Sequence, residues 1–273
     1  MENYVIPGLY DLDLMDHAKG NRYYCLAHFY MQYEHYRDFF KQAKQDGKFI
    51  TLDNSAAEKE IVTEQALLDI VDDLQPSEVI PPDVLFDKER TIVNFYSFMN
   101  KMEEKNRSQV DIFACPQGST KKQWIECYRR MIDHPRVTVI GLSKISVPKC
   151  FSTITEDDQD VNIKEGRHAC VYYLNTRGSI TKPLHFLGMG DPTEYLYYQS
   201  PIFHDVRYLF RSTDSCYSVL AAVKEVDFEV ERRRDGCIRR IKTTNDFYEH
   251  DLNEFEKELA IRNIQFLNKM LGD

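Results

Sequence analysis

Lys48-Phe49-Ile50-Thr51-Leu52-Asp53 is a short apolar run that ends on a carboxylate, and Asn54-Ser55 then turns the chain into a longer segment, residues 56–74. The run has the length of a buried strand. In the segment after it, Ala66, Leu67, Ile70, Val71 and Leu74 recur at spacings of one, three and four, which is one face of a helix. The same alternation extends in both directions. Further candidate strands are residues 23–29, 78–85, 111–115, 137–142, 184–188 and 208–213, with a weaker eighth at 237–243. Helix-like stretches lie at 32–45, 88–105, 121–133, 167–176 and 215–223, and residues 252–271 read as a long helix packing on the outside. Strands interleaved with helices mean a β/α protein. No GxGxxG follows the first strand and no GxxxxGK[ST] occurs, so neither a dinucleotide fold nor a P-loop is indicated. Seven or eight strand–helix units predict a single (β/α)8 TIM barrel over residues 1–273, a fold that needs roughly 250 residues.

The net charge is −9, which argues against indiscriminate binding to polyanions. Yet Arg232, Arg233, Arg234, Arg239, Arg240 and Lys242 cluster near the C-terminus, opposed only by Asp235. That stripe is either a phosphate-holding surface or a solvated basic hairpin. The seven cysteines are scattered, with no CxxC and no closely spaced histidine pair, so no zinc or other metal site is expected. Reduced, buried thiols are the expectation; Cys216 has no activating neighbour in sequence. Residues 156–160, Glu-Asp-Asp-Gln-Asp, read as a solvated loop. No apolar run approaches the roughly 20 residues of a membrane span, and the first residues lack a signal-peptide pattern, so a soluble cytoplasmic protein is expected.

In a barrel, the residues at the C-terminal strand ends share one mouth. Six segments fall there: Leu52-Asp53-Asn54, Pro82-Asp83-Val84-Leu85-Phe86-Asp87, Cys115-Pro116-Gln117-Gly118-Ser119, Ile140-Gly141-Leu142-Ser143-Lys144, Leu187-Gly188-Met189-Gly190-Asp191 and Thr213-Asp214-Ser215. Aspartate also favours turns and helix caps, so a strand-end Asp does not by itself designate chemistry. The accompanying residues do. Two carboxylates can divide a displacement reaction between nucleophile and proton carrier. Gln117 offers a donor and an acceptor to a purine edge, and Asp87 or Asp83 could accept from the N–H groups of a guanine-type ring. His28 and His185 read as packed structural histidines.

The order of these segments resembles the tRNA-guanine transglycosylases and their DNA-modifying relatives, over residues 6 to 215. Gln117-Gly118-Ser119, Val139-Ile140-Gly141-Leu142, Leu184-His185-Phe186-Leu187-Gly188-Met189-Gly190-Asp191-Pro192 and Thr213-Asp214-Ser215 carry the likeness. The opening Ile50-Thr51-Leu52-Asp53-Asn54-Ser55-Ala56-Ala57-Glu58 looks most like the short, DNA-directed branch associated with 7-deazaguanine modification. The resemblance implies exchange of guanine in DNA for a 7-deazaguanine such as 7-cyano-7-deazaguanine, without a cofactor. It makes Asp214 the nucleophile, Asp53 the general acid/base, and Gln117, Gly118, Gly141 and Asp87 the base-recognition groups, with Asp83 as the substitute for Asp87. Gly188 and Gly190 would line the pocket. The basic stripe would contact DNA, and helper proteins could open the duplex. The late cysteine-rich zinc site of the tRNA enzymes is not one that Cys237 alone can build, and no appended RNA-binding domain follows. A minimal tRNA-guanine transglycosylase and a non-catalytic deazapurine- or nucleic-acid-binding barrel are the alternatives.

Overall fold

The structure is a computed structural model that describes residues 1–58, 62–152, 159–235, 241 and 245–272; at 159–162, 192, 233–235 and 245–246 it describes the backbone alone. Eight strands form one sheet: β1 (Glu2–Val5), β2 (Arg22–Leu26), β3 (Phe49–Asp53), β4 (Glu78–Val79), β5 (Asp111–Ala114), β6 (Val137–Leu142), β7 (Leu184–Phe186) and β8 (Phe210–Ser215). Every pairing is parallel, in the order β1-β8-β7-β6-β5-β4-β3-β2. β1 and β2 lie side by side at the seam, and helices alternate with the strands around the outside. The chain is a single (β/α)8 barrel with a C-terminal helix.

The strand that opens the barrel is not among those expected from sequence. β1 is four residues long, and Glu2 and Asn3 mask its apolar half. The expected eighth strand at 237–243 lies outside the described residues except Ile241, whose N–H donates to the Tyr217 hydroxyl at 3.1 Å. Two expected strands end three or more residues before their expected ends. Pro81-Pro82 cannot donate ladder hydrogen bonds, so β4 ends at Val79. β2 ends at Leu26, where the helix Ala27–Gln32 starts. The helix expected from residue 56 begins at Glu64, where the Thr63 side chain accepts from the Ala66 N–H at 3.1 Å. Residues 159 and 160 of the expected acidic loop belong to the helix Gln159–Asn175 instead, and 156–158 lie outside the described residues.

The last helix, Glu254–Met270, starts on an Asn253–Glu256 capping box. Its Leu259, Ala260 and Ile264 close over Val5, Val219 and Ala222. Burying Leu259 and Ile264 contributes about 1.5–3 kcal/mol each. At its far end Asn268 donates to the His17 carbonyl at 2.8 Å and accepts from Asn3 at 3.4 Å, beside the start of β1. The helix therefore runs from the barrel's mouth to its base. Among the described residues, no helix is long and apolar enough to cross a membrane.

Candidate active site

The C-terminal strand ends enclose a cavity of about 270 Å³. Asp53 and Asn54 enter it from β3, Asp83 from the loop after β4, and Gln117 from the loop after β5. Lys144 follows β6, Gly188 follows β7, and Asp214 stands in β8. Glu58, Cys216 and Tyr248 complete the wall.

The two central carboxylates are held in opposite ways. Asp214 is only 5% exposed, and both its protein contacts fall on one oxygen. Oδ1 accepts from the Gly188 N–H at 3.0 Å and lies 2.8 Å from His185 Nε2. Gly188 has φ +62°, and a Cβ there would lie 2.6 Å from Lys144 Cδ, so the turn that aims this N–H favours glycine. Asp53 instead sits where burial, and then the charges of Glu58, Asp214 and Asp83, push its pKa well above the usual carboxylate range, against one hydrogen bond from the Ser55 N–H. This environment favours the protonated form.

A second cluster forms the opposite wall. Asn54 Nδ2 donates to the Pro81 carbonyl at 2.8 Å and to Asp83 Oδ1 at 2.6 Å. Gln117 Nε2 donates to Asp83 Oδ2. Gln117 is 1% exposed, yet its Oε1 has no hydrogen-bond partner among the described residues. Burial pushes the Asp83 pKa up to about 6 against the two amide donors. The wall thus presents the Asp83 carboxylate as an acceptor, with the unpartnered Gln117 amide oxygen buried beside it.

Asp53, Asp83, Asp214, Gln117 and Gly188 are brought together as the sequence suggested. The other expected base contacts do not line the cavity, and each has a packing reason for its position. Asp87 caps the helix Lys88–Glu104 by accepting from the Arg90 N–H at 3.0 Å, and it faces a neighbouring surface groove. Gly118 packs against the start of the helix Lys121–Ile132, where a Cβ would lie 2.5 Å from the Trp124 nitrogen. Gly141 makes room for Phe113, Cys115 and Leu187 inside the barrel, and Gly190 makes room for Tyr217. Arg232 stacks over Phe266 at 5.8 Å and touches Met270 Sδ, toward the base of the barrel. The side chains of Arg233 and Arg234, and all of Arg239, Arg240 and Lys242, lie outside the described residues.

Sequence reasoning gave no role to Glu58 and Tyr248, which line the cavity, and placed Lys144 at the mouth without assigning it one. Two cations near the mouth are Lys144, which lines the cavity, and the exposed Lys149, 4.2 Å above the Phe86 ring. His28 is structural as expected: its Nδ1 is 2.7 Å from Ser55 Oγ, and burial lowers its pKa to about 4. Cys216 lines the cavity, but burial pushes its pKa to about 11, so it stays a thiol. Among the described residues, no group of three or more His, Cys, Asp or Glu is placed to hold a metal ion.

No protein-family model matches this chain, and no curated protein does. Among solved structures, the YdjI aldolase from Escherichia coli K12 is similar at 11% identity, covering 99% of this chain and 90% of that one, with a TM-score of 0.49. A chain described as a sugar phosphate isomerase/epimerase from Anabaena variabilis is similar at 12% identity, covering 99% and 98%, with a TM-score of 0.44. Likeness at this level carries no chemistry, which has to be read from the cavity's own residues.

Proposed function

We propose that this barrel is a glycosyltransferase that exchanges guanine in DNA for a 7-deazaguanine, through a covalent bond between Asp214 and C1′ of the nucleotide. The observation that carries this reading is the contrast inside one cavity: burial and three neighbouring carboxylates favour the protonated form of Asp53, while Asp214 accepts twice on Oδ1 and its Oδ2 has no partner among the described residues. That is the division of labour a retaining displacement at a sugar carbon requires. As the free oxygen of Asp214 bonds to C1′, the bond from C1′ to the base breaks and its electron pair goes to the base. The Asp53 proton goes with it, so guanine leaves neutral. The incoming deazaguanine returns a proton to Asp53 as its nitrogen attacks C1′ and frees Asp214.

Asp83 and the unused Gln117 Oε1 suit the row of N–H donors on a guanine edge. The cavity, at the small end of ligand pockets (~300–1,000 Å³), takes a flipped nucleotide and not a duplex. The choice of DNA rests on the likeness of residues 50–58 to the DNA-directed branch. Mass spectrometry of nucleosides from DNA and tRNA, with and without this protein, tests it. Deazaguanine in DNA supports the reading. Deazaguanine in tRNA alone favours a tRNA enzyme, and its absence from both overturns exchange.

Two further results are expected. Asp83 must be ionised to accept two donors from the base, so KM for a guanine-containing oligonucleotide should rise as pH falls through about 6. The folded-state pKa is raised, so this group's contribution to stability is complete below the ordinary pKa of 3.8 and is lost as pH rises through about 6. Denaturation midpoints of the wild type and Asp83→Asn across that window would show the difference; parallel curves would assign the titration elsewhere. Lys149 is exposed beside the mouth, and no carboxylate is paired with it among the described residues. Lys149→Glu should weaken oligonucleotide binding uniformly across sequences and reduce the salt slope by about one.

A further inference from the structure

We propose that His185 is a positioning residue for Asp214, fixed as the neutral Nε2–H tautomer by a hydrogen-bonded column through Ser212 and Arg211, so that Asp214 attacks through Oδ2. The role in attack rests on the proposed base exchange; the tautomer does not.

The column begins deep in the barrel. Arg211 Nη1 and Nη2 donate to Glu78 at 2.7 and 2.8 Å, and the Thr51 hydroxyl donates to the same carboxylate at 2.6 Å. This pair anchors the guanidinium so that Arg211 Nε donates to Ser212 Oγ at 3.0 Å. Ser212 Oγ lies 2.8 Å from His185 Nδ1, and His185 Nε2 lies 2.8 Å from Asp214 Oδ1. The sheet register makes this possible. His185 is paired with Ser212 across β7 and β8, and Asp214 lies two residues further on the same face of β8.

Both ends of the column have fixed polarity. A guanidinium N–H can only donate, so Ser212 Oγ accepts from Arg211; the neighbouring Tyr4 hydroxyl is outside hydrogen-bond geometry, which leaves the Ser212 proton to go to His185 Nδ1. At the other end Oδ1 belongs to a carboxylate that already accepts from the Gly188 N–H, and with no proton of its own to give it can only accept from His185. The Nε2 facing it therefore carries the proton. An imidazole donating at Nε2 and accepting at Nδ1 is neutral. Complete burial, which lowers the His185 pKa, agrees with that assignment. The rings of Tyr4, Tyr24 and Phe113, at 5.0 to 6.1 Å, pack around the imidazole and hold its plane.

One consequence falls on Asp214. With both donors on Oδ1, Oδ2 has no hydrogen-bond partner among the described residues. Oδ2 keeps its lone pairs for C1′, and Oδ1 stays solvated by the protein while charge leaves the carboxylate. His185 touches neither base nor sugar and passes no proton.

The tautomer is measured directly by 15N NMR of histidine-labelled protein without substrate. The expected spectrum shows a protonated Nε2 and an unprotonated Nδ1 for the buried histidine. Ser212→Ala should shift the Nδ1 resonance as its donor is removed. A proton on Nδ1 in the wild type would overturn the proposal, whether or not the protein exchanges bases. The role in attack is read from adduct formation in a single turnover. His185→Phe should slow that step roughly 100-fold with little change in KM. In His185→Gln an amide N–H can reach the Nε2 position, and the rate should stay within about tenfold of wild type. Equal impairment of both variants at matched folded content would overturn the positioning role. If the wild-type protein has the expected tautomer but no exchange activity, the proposed function and the role in attack fail together, and the column stands as structure.

Discussion

Asp214→Asn is expected to give a folded protein that forms no covalent adduct with a guanine-containing oligonucleotide and exchanges bases at least ~10⁴-fold more slowly than wild type. Asparagine is the informative replacement because its amide oxygen can still accept from Gly188 and His185, the two contacts that hold residue 214. The group at the Oδ2 position becomes an amide nitrogen, whose electron pair is delocalised and cannot bond to C1′. Alanine would instead strand the buried His185 donor at a cost of about 1–3 kcal/mol and confound chemistry with folding. Intact-mass measurement of protein mixed with oligonucleotide reports the adduct, and a thermal melt reports the fold. An adduct that survives this change would move the nucleophile to another cavity residue. Cys216 would be a poor successor, because its raised pKa leaves almost no thiolate at neutral pH.

The residues behind this expectation were legible in the sequence to different depths. Asp53 and Asp214 show as strand ends because an apolar run that stops on a carboxylate is a local pattern. The barrel itself follows from repeating that pattern, although Glu2–Val5 is too short and too polar to declare itself. Asp83 and Asp87 could not be separated in sequence, since both lie in the one segment that follows β4. The structure separates them by a cap, which ties Asp87 to Arg90 and leaves Asp83 against Gln117. The division of duty between the two central acids is not local at all. It arises from Glu58 and Asp83 crowding Asp53, and from donors on β7 and its following turn meeting Asp214. His185 looks like any packed histidine until the register of β7 against β8 sets it beside Ser212.

Asp53→Asn should lower the exchange rate by about 10²- to 10⁴-fold, the range for loss of a positioned general acid. Without the Asp53 proton, guanine must leave as an anion, carrying the charge that Asp214 gives up on bonding to C1′, into a cavity also lined by Glu58 and Asp83. The defect therefore falls on base departure, and it should shrink when the leaving base is a more acidic analogue such as 8-azaguanine. Asp214→Asn should gain nothing from that analogue, since it lacks the attacking atom whatever leaves. A loss in Asp53→Asn that is equally deep with both bases would assign Asp53 to binding instead of proton transfer. The pH dependence has a definite sign as well. The wild-type rate should fall as pH rises through the raised pKa of Asp53, and Asp53→Asn should lack that alkaline limb. Stability follows the same linkage: a carboxyl group whose folded-state pKa is raised loses its contribution as pH rises through that value. Ionising Asp53 beside Glu58, Asp214 and Asp83 is the unfavourable step, and asparagine avoids it. At alkaline pH the variant should be at least as stable as the wild type while remaining far less active, which separates the group's chemistry from its place in the fold.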